Sequence, residues 1–258
     1  MAPLNSLGTW AVRSSGGRRR PKSRCFFIGE GPNTEFWYLS GLAERLARMD
    51  VPELIELRTV ERTGDEKGQS APVKLLEHAL AVREDAEGRF GFDPDADSVV
   101  VFFDADVYKG DEEGYLRMLE RFEGVADVAV TYPSFELFLL LHLDGAFGDV
   151  IAPNEAEIVA NGYVNRRRFV EALASERLGM NVKRSSAVGG LSERFGVAAS
   201  AELLLNQDPR VAVGRLTSNV AERVLEVVRR GSSSDERFCE LCDELGVRRG
   251  NGKCGDCD

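Results

Sequence analysis

The sequence predicts an α/β protein built on a parallel sheet with helices on both faces, followed by a helical lobe and a cysteine-bearing terminal segment. Three observations predict it. Strand-like and helix-like stretches alternate four times between Cys25 and His142. The stretch Ser98 to Phe103 is almost wholly apolar, as a central parallel strand covered on both faces should be. From Ile151 onward the pattern turns to helical segments separated by Gly, Asn and Pro. Alternation of this kind marks a doubly wound layer, in which ligands bind beyond the carboxyl ends of the strands.

Residues 1–22 hold Ser, Gly, Arg and Pro without periodicity and read as a flexible basic leader. Cys25-Phe26-Phe27-Ile28 is short and apolar and runs into Gly-Glu-Gly-Pro, which predicts a buried strand ending in a tight loop. Asn33 or Thr34 is placed to cap a helix from Glu35 to Met49, whose apolar residues Phe36, Leu39, Leu42 and Leu46 recur at helical spacing. A second strand is expected over Leu54 to Val60 and a helix over Pro72 to Ala86. After the Ser98–Phe103 strand come a helix from Asp111 to Phe122, a fourth strand from Val125 to Tyr132, and an apolar helix from Phe135 to His142. The later helices are expected at Arg166 to Arg177, Ala199 to Leu205 and Thr217 to Arg229. These boundaries divide the chain into the leader, an α/β domain over 23–148, a helical lobe over 149–232 and a cysteine-bearing tail over 233–258.

The 258 residues carry a formal charge of −10, which argues against a protein that coats nucleic acid by simple charge neutralisation. Any polyanion must be met locally. Arg18, Arg19, Arg20, Lys22 and Arg24, and then Arg166, Arg167 and Arg168, are the two local sources of positive charge, unless each is only a solvated tail or helix face. A cation held by carboxylates also lets an acidic site accept a phosphodiester. The longest apolar runs fall far short of the ~20 residues a bilayer span needs, and no secretory signal precedes the first strand, so a cytoplasmic protein away from membranes is expected.

Glu30 follows the first strand, and Asp104 and Asp106 follow the third, so a parallel sheet brings all three to one edge. Two aspartates one residue apart on an extended segment point the same way and can share an ion. Oxygen ligands of this kind suit Mg²⁺ or Mn²⁺. Glu30 is then a general acid or base, or a holder of a second ion. The bland alternative is that a strand-end Asp is only a turn or cap residue.

The string Phe-Ile-Gly-Glu-Gly-Pro-Asn-Thr-Glu-Phe-Trp-Tyr (27–38) resembles the first motif of the topoisomerase-primase (Toprim) type, in the version found in RloB-like proteins. Val-Val-Val-Phe-Phe-Asp-Ala-Asp (99–106) resembles the second. Tyr-Pro-Ser-Phe-Glu-Leu-Phe-Leu-Leu-Leu-His-Leu (132–143) is similar to that family's Asn-Pro-Cys-Phe-Glu-Leu-Trp-Leu-Leu-Leu-His segment, departing from it at Tyr132 and Ser134. The resemblance implies a Toprim-like sheet and a nuclease, with Glu30 as general acid/base and Asp104 and Asp106 as metal ligands. It also implies antiphage defence beside restriction-modification genes, with a companion ATPase. The chain itself has no Gly-x-x-x-x-Gly-Lys-Ser/Thr run. Glu35, Glu136 and His142 fall in the same motifs as accessory candidates. Glu35 also suits the first turn of a helix, and His142, six residues from Glu136, is favoured as a buried hydrogen-bonded residue over a ligand.

Cys239-x-x-Cys242 and Cys254-x-x-Cys257, with glycines at 246, 250, 252 and 255, have the spacing of two zinc knuckles. Four thiolates fill tetrahedral Zn²⁺, a structural rather than catalytic site, and disulfides are the poorer reading without a secretory signal. Arg248, Arg249 and Lys253 between the pairs are available to nucleic acid or a partner. Cys25 is expected in the core. Three other readings compete: a catalytically silent nucleic-acid or partner-binding module, a Mn²⁺-dependent glycosyltransferase, and a phosphatase that uses Asp-x-Asp as nucleophile and acid. The two enzymatic rivals leave Glu30 and the Phe135–His142 string unexplained, and the phosphatase motif belongs on a first strand.

Overall fold

The computed structural model describes residues 23–30, 33–49, 55–59 and 72–247. In chain order they form β1 (Ser23–Gly29), α1 (Thr34–Arg48), β2 (Ile55–Thr59), α2 (Pro72–Glu84), β3 (Ser98–Asp104), α3 (Glu112–Phe122), β4 (Asp127–Tyr132) and α4 (Phe135–Leu140). These continue as α5 (Glu155–Ala160), β5 (Tyr163–Val164), β6 (Arg167–Arg168), α6 (Phe169–Arg177), α7 (Phe195–Glu202), β7 (Thr217–Ser218), α8 (Val220–Gly231) and α9 (Asp235–Glu244). The main sheet runs β2-β1-β3-β4-β7. Its first four strands are parallel, as the alternating pattern predicts, and the short β7 pairs antiparallel with β4. Among the described residues no helix is long and apolar enough to cross a membrane.

The apolar strands divide their side chains between two cores, because successive residues of a strand point to opposite faces. Phe27, Val100, Phe102 and Ala129 pack with α1 and α4. Phe26, Ile28, Val99, Val101, Phe103 and Val130 pack with α2 and α3. Both faces are therefore dry, which is why these strands carry no polar alternation. The α1-side core runs on without a break into α6, α7, α8 and α9, through Val170, Phe195, Val224, Val228, Phe238 and Leu241. Cys25 is buried in it, and burial pushes its thiol up to about 12.

Helix α1 lies against the 3₁₀ segment Ser186–Arg194 at two glycines. A Cβ at Gly41 would sit 2.2 Å from the Gly189 carbonyl oxygen, a backbone atom that cannot swing aside. Gly41→Ala is therefore expected to cost about 2 kcal/mol despite its better helix propensity. The check is a lower urea midpoint at unchanged slope.

Two expectations in the second half are corrected. Arg166, Arg167 and Arg168 do not open a helix: Tyr163–Val164 and Arg167–Arg168 form a two-stranded hairpin, and α6 starts only at Phe169. Asn165 and Arg166 take φ of 49° and 67°, the left-handed values of a tight hairpin turn. Thr217 and Ser218 likewise belong to β7, and α8 begins at Val220. Cys239 and Cys242 lie one turn apart on α9, with Cys242 buried in the core. Cys254 and Cys257, the arginines at 18–20, and Arg248, Arg249 and Lys253 lie outside the described residues.

Candidate metal and phosphoryl site

The sheet register places the first two acids. Gly29 of β1 pairs with Phe102 of β3, so Glu30 emerges beside Asp104, whose backbone N–H donates to Glu30 Oε2 at 2.9 Å. On the other side Asp104 pairs with Thr131 of β4, and the Thr131 hydroxyl donates to Asp104 Oδ1. Asp104 thus sits between neighbours on both flanking strands.

Asp106 is not on the strand with Asp104, where the extended reading expected it. The strand ends at Asp104, and Ala105–Tyr108 is a 3₁₀ turn, so strand alternation does not align the two aspartates. Both nevertheless sense the charge of Glu136.

Glu35 and Glu136 are 3% and 2% exposed in the first turns of α1 and α4, the positive ends of those helices. The charges of both act on Asp104. Burial raises the Asp104 pKa well above the usual carboxylate value, and the charges of Glu30, Glu35 and Glu136 raise it further against the Thr131 hydrogen bond. Asp106 is raised by burial, with Arg168 the largest opposing influence.

One cation enters this group that the sequence did not single out. Lys183 Nζ forms an ion pair with Glu136, and the segment carrying it is held to the start of α1 by the Thr34 hydroxyl donating to the Val182 carbonyl at 3.0 Å. Burial works against its charge, but Glu136, Glu35 and Asp104 outweigh burial and hold its pKa above the ordinary lysine value. Met-Asn-Val-Lys-Arg carries no motif, so only the fold reveals this residue.

His142 is buried behind the site. Its Nδ1 lies 3.1 Å and 3.2 Å from the Phe138 and Leu139 carbonyls, which only accept, so that nitrogen carries the proton. Nε2 then accepts from the Tyr38 hydroxyl at 2.9 Å. Burial lowers its pKa to about 4. The residue joins α4 to α1 rather than facing the carboxylates.

Arg24, one of the basic residues at the start, is committed elsewhere: it binds Asp97 and the Phe90 and Gly91 carbonyls at the other end of β1. Among the described residues no group of three or more His, Cys, Asp or Glu side chains is gathered as a metal centre. The donors that do meet at the strand ends are carboxylate oxygens, the chemistry that suits a hard divalent cation. A family model described as RloB-like protein matches residues 26–188, more than half of the chain. No curated protein and no solved structure gives a significant match.

Proposed function

From the premise that the chain belongs to the RloB-like family, we propose that it is a metal-dependent nuclease of the Toprim type, cleaving nucleic-acid phosphodiester bonds. The observation that carries this reading is Asp104 at the end of β3, joined through its N–H to Glu30 and acted on by the charges of Glu30, Glu35 and Glu136, with Lys183 paired to Glu136. Such crowding of like charge is costly unless a cation or a proton relieves it. The three acids flagged at strand ends fit Mg²⁺ or Mn²⁺ by donor chemistry, and Glu30, Asp104 and Asp106 would hold the ion. It would offset the charge of the phosphodiester and of the departing oxygen.

The chain's own groups supply the rest. Glu30 takes or returns a proton at the attacking or leaving oxygen. The Thr131 hydroxyl and the Asp104 backbone N–H fix the two carboxylates against each other. Lys183, about half exposed and charged, offers its ammonium to a non-bridging phosphate oxygen while keeping Glu136 in place. The resemblance in the three motifs supports a role in antiphage defence beside a companion ATPase.

The test incubates the purified protein with plasmid DNA and with total tRNA, in Mn²⁺ and in chelator, with and without an ATPase encoded beside it. Cleavage that needs the cation is expected. Binding without cleavage under every condition would favour the silent module, and sugar transfer from a nucleotide donor the glycosyltransferase.

The four cysteines are proposed to hold one structural Zn²⁺, a reading that rests on their spacing. Metal analysis is expected to find about one zinc per chain. Cys254→Ser together with Cys257→Ser should release it, and a zinc-free protein with all four cysteines alkylatable would refute the site.

A further inference from the structure

The hairpin that replaced the expected helix stands out from the rest of the surface. Residues 162–168 are all exposed, and Tyr163 is 71% exposed, more than any other large hydrophobic side chain among the described residues. Its sequence, Gly-Tyr-Val-Asn-Arg-Arg-Arg, holds no acidic residue in a chain of net charge −10. The Arg168 guanidinium lies 4.6 Å from the centre of the Tyr163 ring and donates to the Asn161 carbonyl. Arg167 leans only loosely toward Glu171, at 3.8 Å.

The hairpin is anchored beside the carboxylates. Lys109, three residues past Asp106, donates to the Ala160 carbonyl at 3.1 Å, just before the hairpin begins. The hairpin base is closed by the Phe169 N–H on the Gly162 carbonyl at 2.8 Å and the Val170 N–H on Asn161 Oδ1 at 3.1 Å. From it an open groove of about 620 Å³ runs along α6, its lining including Val164, Asn165, Arg167, Glu176, Met180 and Asn181. Two residues beyond Asn181 is Lys183. The Lys109 bond, and the charge of Arg168 acting on Asp106, put the basic hairpin on the Asp106 side of the acidic centre.

We propose that this hairpin and groove hold unpaired nucleotides next to the scissile phosphate, with a base stacked on the open face of Tyr163 and phosphates on Arg166 and Arg167. The assignment rests on the phosphodiesterase reading for its location. A duplex keeps its base faces stacked internally, so an exposed ring favours unpaired bases. Stacking tolerates any sequence, and DNA and RNA present the same faces.

The experiment titrates the full chain in chelator against a short labelled oligonucleotide, single-stranded and as duplex, in DNA and RNA forms. Tyr163→Ala should weaken single-strand binding roughly 10-fold, while Tyr163→Phe retains it. Arg166→Ala with Arg167→Ala should flatten the salt dependence by about 1.4 in logarithmic slope. Either Tyr163→Ala binding as tightly as the parent, or a parent that prefers duplex, overturns the proposal, as does a parent that binds neither. Repeating the series in Mn²⁺ separates the two ideas. Tight, Tyr163-dependent binding without cleavage would sink the nuclease and leave the hairpin assignment standing, whereas cleavage indifferent to Tyr163 would do the reverse.

Discussion

Asp104→Asn is expected to abolish cleavage, by about 10³-fold or more, while leaving the protein at least as stable as before. The loss follows from removing a charged oxygen at the point where a divalent cation would contribute several kcal/mol to the transition state. The stability expectation follows from the surroundings. Burial and the charges of Glu30, Glu35 and Glu136 all disfavour a charge on Asp104. A neutral amide removes that repulsion and still offers an oxygen to the Thr131 hydroxyl. On the proposed reading, function and stability would be opposed at this residue. Cleavage rates in Mn²⁺ and thermal unfolding in chelator measure the two sides. A variant that cuts at the parent rate would remove Asp104 from the chemistry, and one that unfolds early would show that its charge serves the fold.

The second large effect lies away from the site, at Glu202. Its carboxylate, 1% exposed at the end of α7, accepts from the Ser218 hydroxyl at 2.6 Å and from the Ala221 and Glu222 N–H groups at 3.1 and 3.0 Å. Those N–H groups belong to the first turn of α8. Asn219, the residue before α8, makes no side-chain cap, because its amide extends β4: Oδ1 accepts from Val130 N–H and Nδ2 donates to the Val128 carbonyl. Glu202→Ala strands three buried donors and should cost at least about 3 kcal/mol.

The same carboxylate sets a pH dependence. Burial raises its pKa to about 7, against the three hydrogen bonds. Between an unfolded value near 4.5 and about 7 the folded protein holds a proton that the unfolded chain has lost. Its contribution is therefore most favourable below pH ~4.5 and is lost as pH rises through about 7, by about 3 kcal/mol in all. His142 has the opposite sign. With its pKa lowered to about 4, the unfolded chain binds the extra proton between about 4 and 6.5, so stability falls by a similar amount on acidification. The two slopes oppose each other between about pH 4.5 and 6.5. Glu202→Gln should remove one of them, so that its stability relative to the parent drops as pH falls through this window. Parallel curves for parent and variant would show that Glu202 does not titrate there.

Much of this molecule is written in short stretches of sequence. The strands Ser23–Gly29 and Ser98–Asp104 are legible because burial on both faces leaves them almost wholly apolar, and α1 because its buried residues return every three or four positions. Alternation of the two patterns implies the parallel sheet, and the sheet implies that Glu30 and Asp104 share an edge. The motif strings also name Glu35 and Glu136, whose charges act on Asp104.

What only the folded chain decided are the pairings between distant segments. Lys183 reaches Glu136, Glu202 caps a helix from another element, and Asn219 serves β4 rather than its own helix. The arginines at 166–168 stand on a hairpin because Asn165 and Arg166 adopt left-handed backbone, a choice no hydrophobic period records. Asp106 stands in a 3₁₀ turn after β3, which an extended reading misses. The physical reason is common to all of them. Periodicity reports how one segment divides its own surface between core and water, whereas the partner of a polar group is set by which other segment the fold brings within about 3 Å of it.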